Sequence, residues 1–447
     1  MTKKKYIYDK TRRVVISIVI SILFSLNHFE YINAEQITYI IGGTNNKYTY
    51  DELKNYYEIN SISYLRSTIT YQIEALKANL ITDNYNNLNN QYLYSLQRIS
   101  ELNAVKTELN EYKNKLVSSK NVENGQDNNL MNSYSEIEDI TIILGEIDKQ
   151  IAAIDEELIQ FEKNINTLQS SVADAKLQED ISSFYQTYQT ALVNQSQNLL
   201  KHEFLKKCIN MILSNEQIHY YNSYQTYLDL QYKTELIKNE YGLSTGVKIN
   251  EIKLESLKNR NLLKKQENNF YMIKKYIENE AKISKYATLI FELPIYEKNY
   301  NIDQIFYNFL EKNTNYMQLI NFENSYRNYL TNNLNLASDV YRQIELQIKD
   351  YSLQAQELKN SISAYVEEAI LSYHNAFDVM EAAKLELQNK NDKYNIVKIK
   401  KNYKKATELE LQQAAYEKDK AKVDYYQSYL EIVMWENIIE CGIYKSI

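Results

Sequence analysis

Two short segments of this chain match each other across 162 residues. Tyr241-Gly242-Leu243-Ser244-Thr245 lines up with Tyr403-Lys404-Lys405-Ala406-Thr407, with helical patterns on both sides of each. A second pair, Tyr50-Asp51-Glu52-Leu53 and Ile302-Asp303-Gln304-Ile305, lies 252 residues apart, and each member opens a helix. Because the offsets differ by 90, the first copy carries about 90 extra residues between its opening helix and its Tyr-Gly turn. A tandem duplication constrains the fold more than any single motif, since each copy must bury its apolar face against a neighbour. The expected organisation is a leader over 1–34, a first repeat over 35–291 with a helical insertion, a linker over 292–301, and a second repeat over 302–447.

The chain has one proline and seven glycines in 447 residues, which leaves few places to turn and favours long helices. The clearest periodicity runs through Ile344, Ile348, Tyr351, Ala355, Leu358 and Ile362, then Val366, Ala369, Tyr373, Ala376, Met380, Ala383 and Leu387. The steps alternate four and three with one stutter, the spacing of a coiled-coil seam. At about 1.5 Å per residue a helix from Ile344 to Asn389 would be ~69 Å long and would need partner helices along its whole length. Alanines on the seam let those partners approach closely. Breaks are expected at the polar stretch Ser118–Asn129, at Tyr241–Gly246, at Glu292–Asn301 with the only proline, and at Tyr403–Thr407. Gln36–Ile41 reads as one short strand followed by a loop from Gly42 to Asn46, and Ile140–Leu144 is the only strand-like run in the insertion of the first copy.

Lys3, Lys4, Lys5, Lys10, Arg12 and Arg13 precede the mostly apolar run Val14–Leu26, and a small residue, Ala34, stands before Glu35. That order is that of an export signal, and a run of thirteen residues falls short of the ~20 a membrane-spanning helix needs, which favours cleavage after Ala34 over anchoring. Removing a leader of net charge +4 from a chain of −7 leaves −11, a balance that argues against nucleic acid as a partner. Cys208 and Cys441 fall on separate helical patterns with no metal-type spacing.

The stretch Ile362–Cys441 holds Val366, Ala369 and Tyr373, then Tyr403 with Thr407, Leu409-Glu410-Leu411-Gln412-Gln413-Ala414, Tyr425–Leu430 and Trp435. In order and spacing it resembles the C-terminal half of the TolC-like outer-membrane efflux proteins. The first copy, Leu200–Tyr276, is similar, and Tyr241-Gly242-Leu243-Ser244-Thr245 fits the family's turn better than the second copy, where Lys404 and Lys405 replace glycine.

The resemblance implies an exported, duplicated protein whose long antiparallel coiled-coil helices form a homotrimeric tunnel in the cell envelope, and the helical patterns that fill this chain make the expected fold all-α, with little or no β-structure. It implies that Tyr241, Gly242, Leu243, Ser244 and Thr245, with Tyr403, Lys404, Lys405, Ala406 and Thr407, sit at the tips of helical hairpins that meet a periplasmic-type adaptor and, through it, an inner-membrane pump. The residues themselves are consistent with capped turns, Gly242 allowing positive φ and Thr245 and Thr407 capping the helices that follow.

Family members with a pore place two strands after the first helix of each repeat, and such strands need ~9–11 alternating residues. Asn315–Ile348 leaves no room for them, and in the first copy that place holds the insertion. The expectation is a helical extension instead of a membrane barrel, which makes direct membrane insertion doubtful and would suit a tube that lines a thick wall.

No catalytic constellation, cofactor site or metal site is expected. His28, His202, His219 and His374 are scattered, and His202, Glu203 and Cys208 do not share a helix face. Two other functions stay open at this point: a structural coiled-coil spacer of the envelope, and a secreted helical pore-forming toxin, although no ~18-residue apolar run follows Ala34 and Ala287–Pro294 is too short.

Overall fold

The structure, a computed structural model, describes residues 18–19, 34–41, 45–123, 132–284, 287–333 and 336–444. The expected leader lies outside these residues except for Ile18–Val19 and Ala34, as do 42–44 of the expected loop and 124–129 of the polar stretch. Among the described residues the fold is all-α, of long helices with one small sheet. In chain order the strands are β1 (Ile18–Val19), β2 (Ala34–Ile41), β3 (Asn45–Thr49) and β4 (Ala287–Tyr296). The helices are α1 (Tyr50–Asn60), α2 (Ile62–Glu123), α3 (Asn132–Thr187), α4 (Gln189–Glu240), α5 (Gly246–Glu280), α6 (Ile302–Lys312), α7 (Thr314–Asn332), α8 (Ser338–Asn402) and α9 (Glu408–Cys441).

The chain divides into two compact units, each described by itself. The first draws on Met1–Tyr71, Thr190–Met317 and Gln356–Ile447. It contains the sheet, ordered β1-β2-β4-β3, with β4 antiparallel to β2 from Ala34↔Tyr296 to Ile41↔Leu289 and parallel to β3 over its first residues. The sequence reading of one short strand is therefore corrected to four strands among the described residues, and Ala287–Pro294, set aside as too short an apolar run, lies in β4, one of the sheet's two inner strands. Its inward residues Leu289, Phe291, Leu293 and Ile295 alternate with exposed Glu292, Pro294 and Tyr296. Pro294, which can donate no ladder bond, sits opposite Gln36 of β2 and beyond the last partner of β3, where β4 has a strand on one side only.

Helices close over that sheet face with the side chains expected on the seam. Ile362, Val366, Ala369, Tyr373, Ala376 and Met380 of α8 are buried together with Phe204, Ile209 and Ile212 of α4, Tyr426, Tyr429 and Ile432 of α9, and Leu289 and Phe291. Tyr373 does more than pack: its hydroxyl donates to the Tyr296 carbonyl at 2.6 Å and accepts from the Lys298 N–H at 3.1 Å, satisfying backbone groups where β4 ends.

Two helix breaks in this unit share one construction. Thr49 caps α1 by accepting from the Glu52 N–H, and Asn301 caps α6 by accepting from the Gln304 N–H. Twelve residues on, Ser61 and Asn313 leave the helical region, and their side chains accept from the N–H of Tyr64 at 3.5 Å and of Tyr316 at 2.9 Å to restart the chain as α2 and α7.

The second unit comprises Gln72–Gln189 and Gln318–Ala355. Here α2 and α3 run antiparallel, with Ala78, Leu102, Ile147 and Leu158 buried and Arg98–Glu157 (3.1 Å), Lys106–Asp155 (2.5 Å) and Lys113–Asp148 paired along the flank. Exposed pairs of this kind contribute only ~0–1 kcal/mol each, so the buried seam holds the hairpin. Tyr329 of α7 donates to Asp174 of α3 at 2.9 Å, and Phe322 packs on Tyr351 of α8 at 5.2 Å. The strand-like run Ile140–Leu144 lies inside the 56-residue α3. Five β-branched or leucine residues flanked by helix-forming sequence on both sides cannot be told from helix by local pattern, and the helical context wins.

Candidate docking turns

The ten residues singled out in the sequence form two interhelical turns, α4 to α5 and α8 to α9, both within the first unit. Their backbones are built alike. At the first, the Gly242 N–H donates to the Asn239 carbonyl at 3.0 Å and the Leu243 N–H to that of Lys238 at 2.8 Å. At the second, the Lys404 N–H donates to Lys401 at 2.8 Å and the Lys405 N–H to Lys400 at 2.8 Å. Each is a Schellman closure, in which a left-handed residue lets the chain satisfy the last helical carbonyls. That residue is Gly242, φ 70°, in one turn and Lys404, φ 57°, in the other. Thr245 then caps α5 by accepting from the Lys248 N–H at 3.4 Å, and Thr407 caps α9 by accepting from the Glu410 N–H at 3.2 Å.

The turns stand side by side. Along α4 from His202 to Tyr227, His202 Nδ1 lies 2.9 Å from Asn437 Oδ1, Glu216 pairs with Lys422 at 2.9 Å, Ser223 donates to Asp419, and Tyr227 packs on Tyr416 with ring centroids 4.8 Å apart. This antiparallel register between α4 and α9 carries the end of α4 to the start of α9. The hairpin contacts Asn259–Gln225 (3.0 Å) and Lys393–Glu417 (2.7 Å) fold α5 and α8 back beside them.

The side chains differ between the turns. At the first, Tyr241, Leu243 and Val247 are 76, 77 and 69% exposed, while Lys238 and Lys248, themselves half exposed, pair with Glu235, a buried carboxylate of α4. Lys238 and Ser244 donate to it at 2.7 and 2.6 Å, and Lys248 lies at 3.4 Å. At the second, Tyr403 is 74% exposed and Lys404 and Lys405 point to solvent. Lys401 is paired with Glu408, and Glu410 is held by the Thr407 N–H and hydroxyl at 2.7 and 2.9 Å. The Thr407-x-x-Glu410 capping box is readable from sequence. Glu235 is not, because it lies six residues before the turn and its counterpart position in the second copy is Val397.

Hydrogen bonds from Lys238 and Ser244 hold the Glu235 carboxyl down to about 2, below its ordinary 4.5. A carboxylate with a depressed folded value contributes stability that is complete above the unfolded value and is lost as pH falls through the folded one. Protection of the Gly242 and Leu243 amides against hydrogen exchange should therefore fall between pH 4.5 and 2 in the parent chain. In Glu235→Gln it should be lower throughout and flat across that window; an unchanged pH profile would show that Glu235 does not hold the turn.

Elsewhere the residues weighed for chemistry do not converge. His202 is buried against Asn437 while Glu203 faces solvent, and Cys208 is a fully buried free thiol. Among the described residues no group of three His, Cys, Asp or Glu is placed to hold a metal ion, and no helix is long and apolar enough to cross a membrane.

No family model matches this sequence, and no curated protein matches it. Solved structures similar to it are bacterial membrane and outer-membrane proteins. The outer membrane protein VceC of Vibrio cholerae shares 7% identity over 61% of this chain and 75% of its own, with a TM-score of 0.39. The outer-membrane channel OprN gives 9%, 61%, 71% and 0.40. A membrane protein from Pseudomonas aeruginosa gives 5%, 61%, 73% and 0.40. Overlaps of this degree assign no role to any residue here.

Proposed function

We propose that the chain is one subunit of a homotrimeric, exported helical conduit of the cell envelope, whose two hairpin turns dock an adaptor and through it an inner-membrane pump. The observation that carries this reading is the pair of turns: two Schellman-closed, threonine-capped reversals, 162 residues apart, standing together at one end of the first unit. Matching caps and breaks 252 residues apart, at Thr49 and Ser61 and at Asn301 and Asn313, support the duplication on which it rests.

Assembly is supported by apolar side chains that the single chain leaves open. Ile62, Leu65 and Ile69 of α2, followed by Ile73, Leu76 and Leu80, recur at helical spacing and are 47–77% exposed. A helix of this kind needs a further partner. Among the described residues the places where family strands would form a barrel are helical, α2 with α3 and α7 with α8. The protein does no chemistry; it offers cargo a water-filled path.

The chain from Glu35 to Ile447 should run as a trimer by light scattering, with hollow elongated particles in negative stain of the same peak. A monomer or dimer that stays so when the partner is added would overturn the conduit and favour an envelope spacer.

A further inference from the structure

We infer that Lys404 is a specificity residue for an acidic face on the docking partner, the two turns dividing the contact by chemistry into an apolar half and a cationic half. The inference rests on the docking role proposed above.

The position demands a left-handed residue, which glycine adopts without steric cost and an L side chain does not. The first turn uses Gly242 and the second, with the same hydrogen bonds, uses Lys404 at φ 57°. Lys282, φ 52°, closes α5 with the same pair of bonds, so the left-handed backbone alone assigns Lys404 no use, and the use of its side chain is read from its surroundings. The favourable interaction of a cation with a helix C-terminus does not supply that use, since Lys400 and Lys401 already occupy the last turn of α8. Nor is Lys404 neutralised: the nearby acids are taken, Glu408 by Lys401 and Glu410 by the capping box, so Lys404 and Lys405 face solvent unopposed. The first turn is arranged the opposite way. Its lysines, Lys238 and Lys248, close on Glu235, and what it presents is Tyr241, Leu243 and Val247. A complementary partner offers an apolar socket to one turn and carboxylates to the other.

The test places a photoreactive benzoylphenylalanine at Tyr241 or Tyr403 of the full chain in its own cells and sequences the adducts. At 403 the adduct should carry an excess of Asp and Glu; Lys404→Gly should cut its yield by about tenfold and leave the adduct at 241 largely intact. The same variant should melt no lower than the parent, because glycine relieves the backbone there. A partner peptide at 403 without carboxylates, a lipid adduct at 403, or a yield insensitive to Lys404→Gly would overturn the inference while a protein adduct at 241 left docking standing. Adducts at neither position, or only to other copies of this chain, would overturn the docking reading itself.

Discussion

Replacing Lys422 by methionine should destabilise the first unit by about 3–5 kcal/mol, the cost of leaving a buried charge without its partner. The charge is Glu216 of α4, 1% exposed, whose Oε2 lies 2.9 Å from Lys422 Nζ of α9 and whose Oε1 accepts from the Tyr39 hydroxyl of β2 at 3.0 Å. Asn215 donates to that hydroxyl at 2.5 Å, and the Lys422 ammonium stands 5.7 Å from the centroid of the Tyr426 ring. The group ties one strand and two helices together in the core, so its loss is felt by the sheet as well as by the helix pair. Guanidinium unfolding followed by circular dichroism is the measurement. The double variant Glu216→Leu with Lys422→Met should recover most of the loss, because a buried pair replaced by apolar side chains of similar size is often neutral or better. A single variant that costs less than about 1 kcal/mol would mean that water reaches Glu216 and that the pair is a surface one.

That core tie was not legible in the sequence. Glu216 stands in an ordinary polar stretch of a helical pattern, Ser214-Asn215-Glu216-Gln217, and its two partners are 177 residues before it and 206 after it. The sheet was hidden for the same reason. Ala287–Tyr296 shows the alternation of a strand once its pairing is known, but it is short, contains Pro294, and finds its partners about 250 residues away in Ala34–Thr49. Pairing between such distant segments leaves no local trace, whereas a helix repeats its pattern every turn. The seam of α8 was legible for that reason: Ile344, Ile348, Ala355, Ile362, Val366, Ala369, Tyr373, Ala376 and Met380 are buried, and Tyr351, Leu358, Ala383 and Leu387 half-buried.

The turns were legible in part. Glycine before a threonine cap announces a reversal from composition, and the helix boundaries at Gly246 and Glu408 follow from the caps. What sequence could not supply was that Lys404 adopts the same backbone as Gly242, since a lysine in the left-handed region contradicts its propensity and is imposed by the hairpin around it. Nor could it supply the pairing of Lys238 and Lys248 with Glu235, which decides what the first turn shows to a partner.

The second large effect concerns that turn. Gly242→Arg together with Leu243→Glu should reduce capture of the partner cross-linked at Tyr241 by at least about a hundredfold, as expected when a central apolar contact of an interface becomes charged. Helicity should be unchanged. A Cβ at Gly242 meets nothing within 4 Å, and Leu243, 77% exposed, buries little in the chain alone, so the only folding cost is a left-handed arginine at ~1 kcal/mol. Gly442, which ends α9 at φ 65°, provides the opposite case. An alanine there would take on the left-handed backbone and also displace Lys312, whose Cδ would lie 2.8 Å from the Cβ and whose Nζ donates to the Glu440 carbonyl at 3.0 Å, so Gly442→Ala should lower the melting temperature and leave capture intact. The two glycines thus separate a backbone requirement that serves the fold from one that serves contact. Capture that survives the double change in the first turn would remove that turn from the interface, whatever its resemblance to the second.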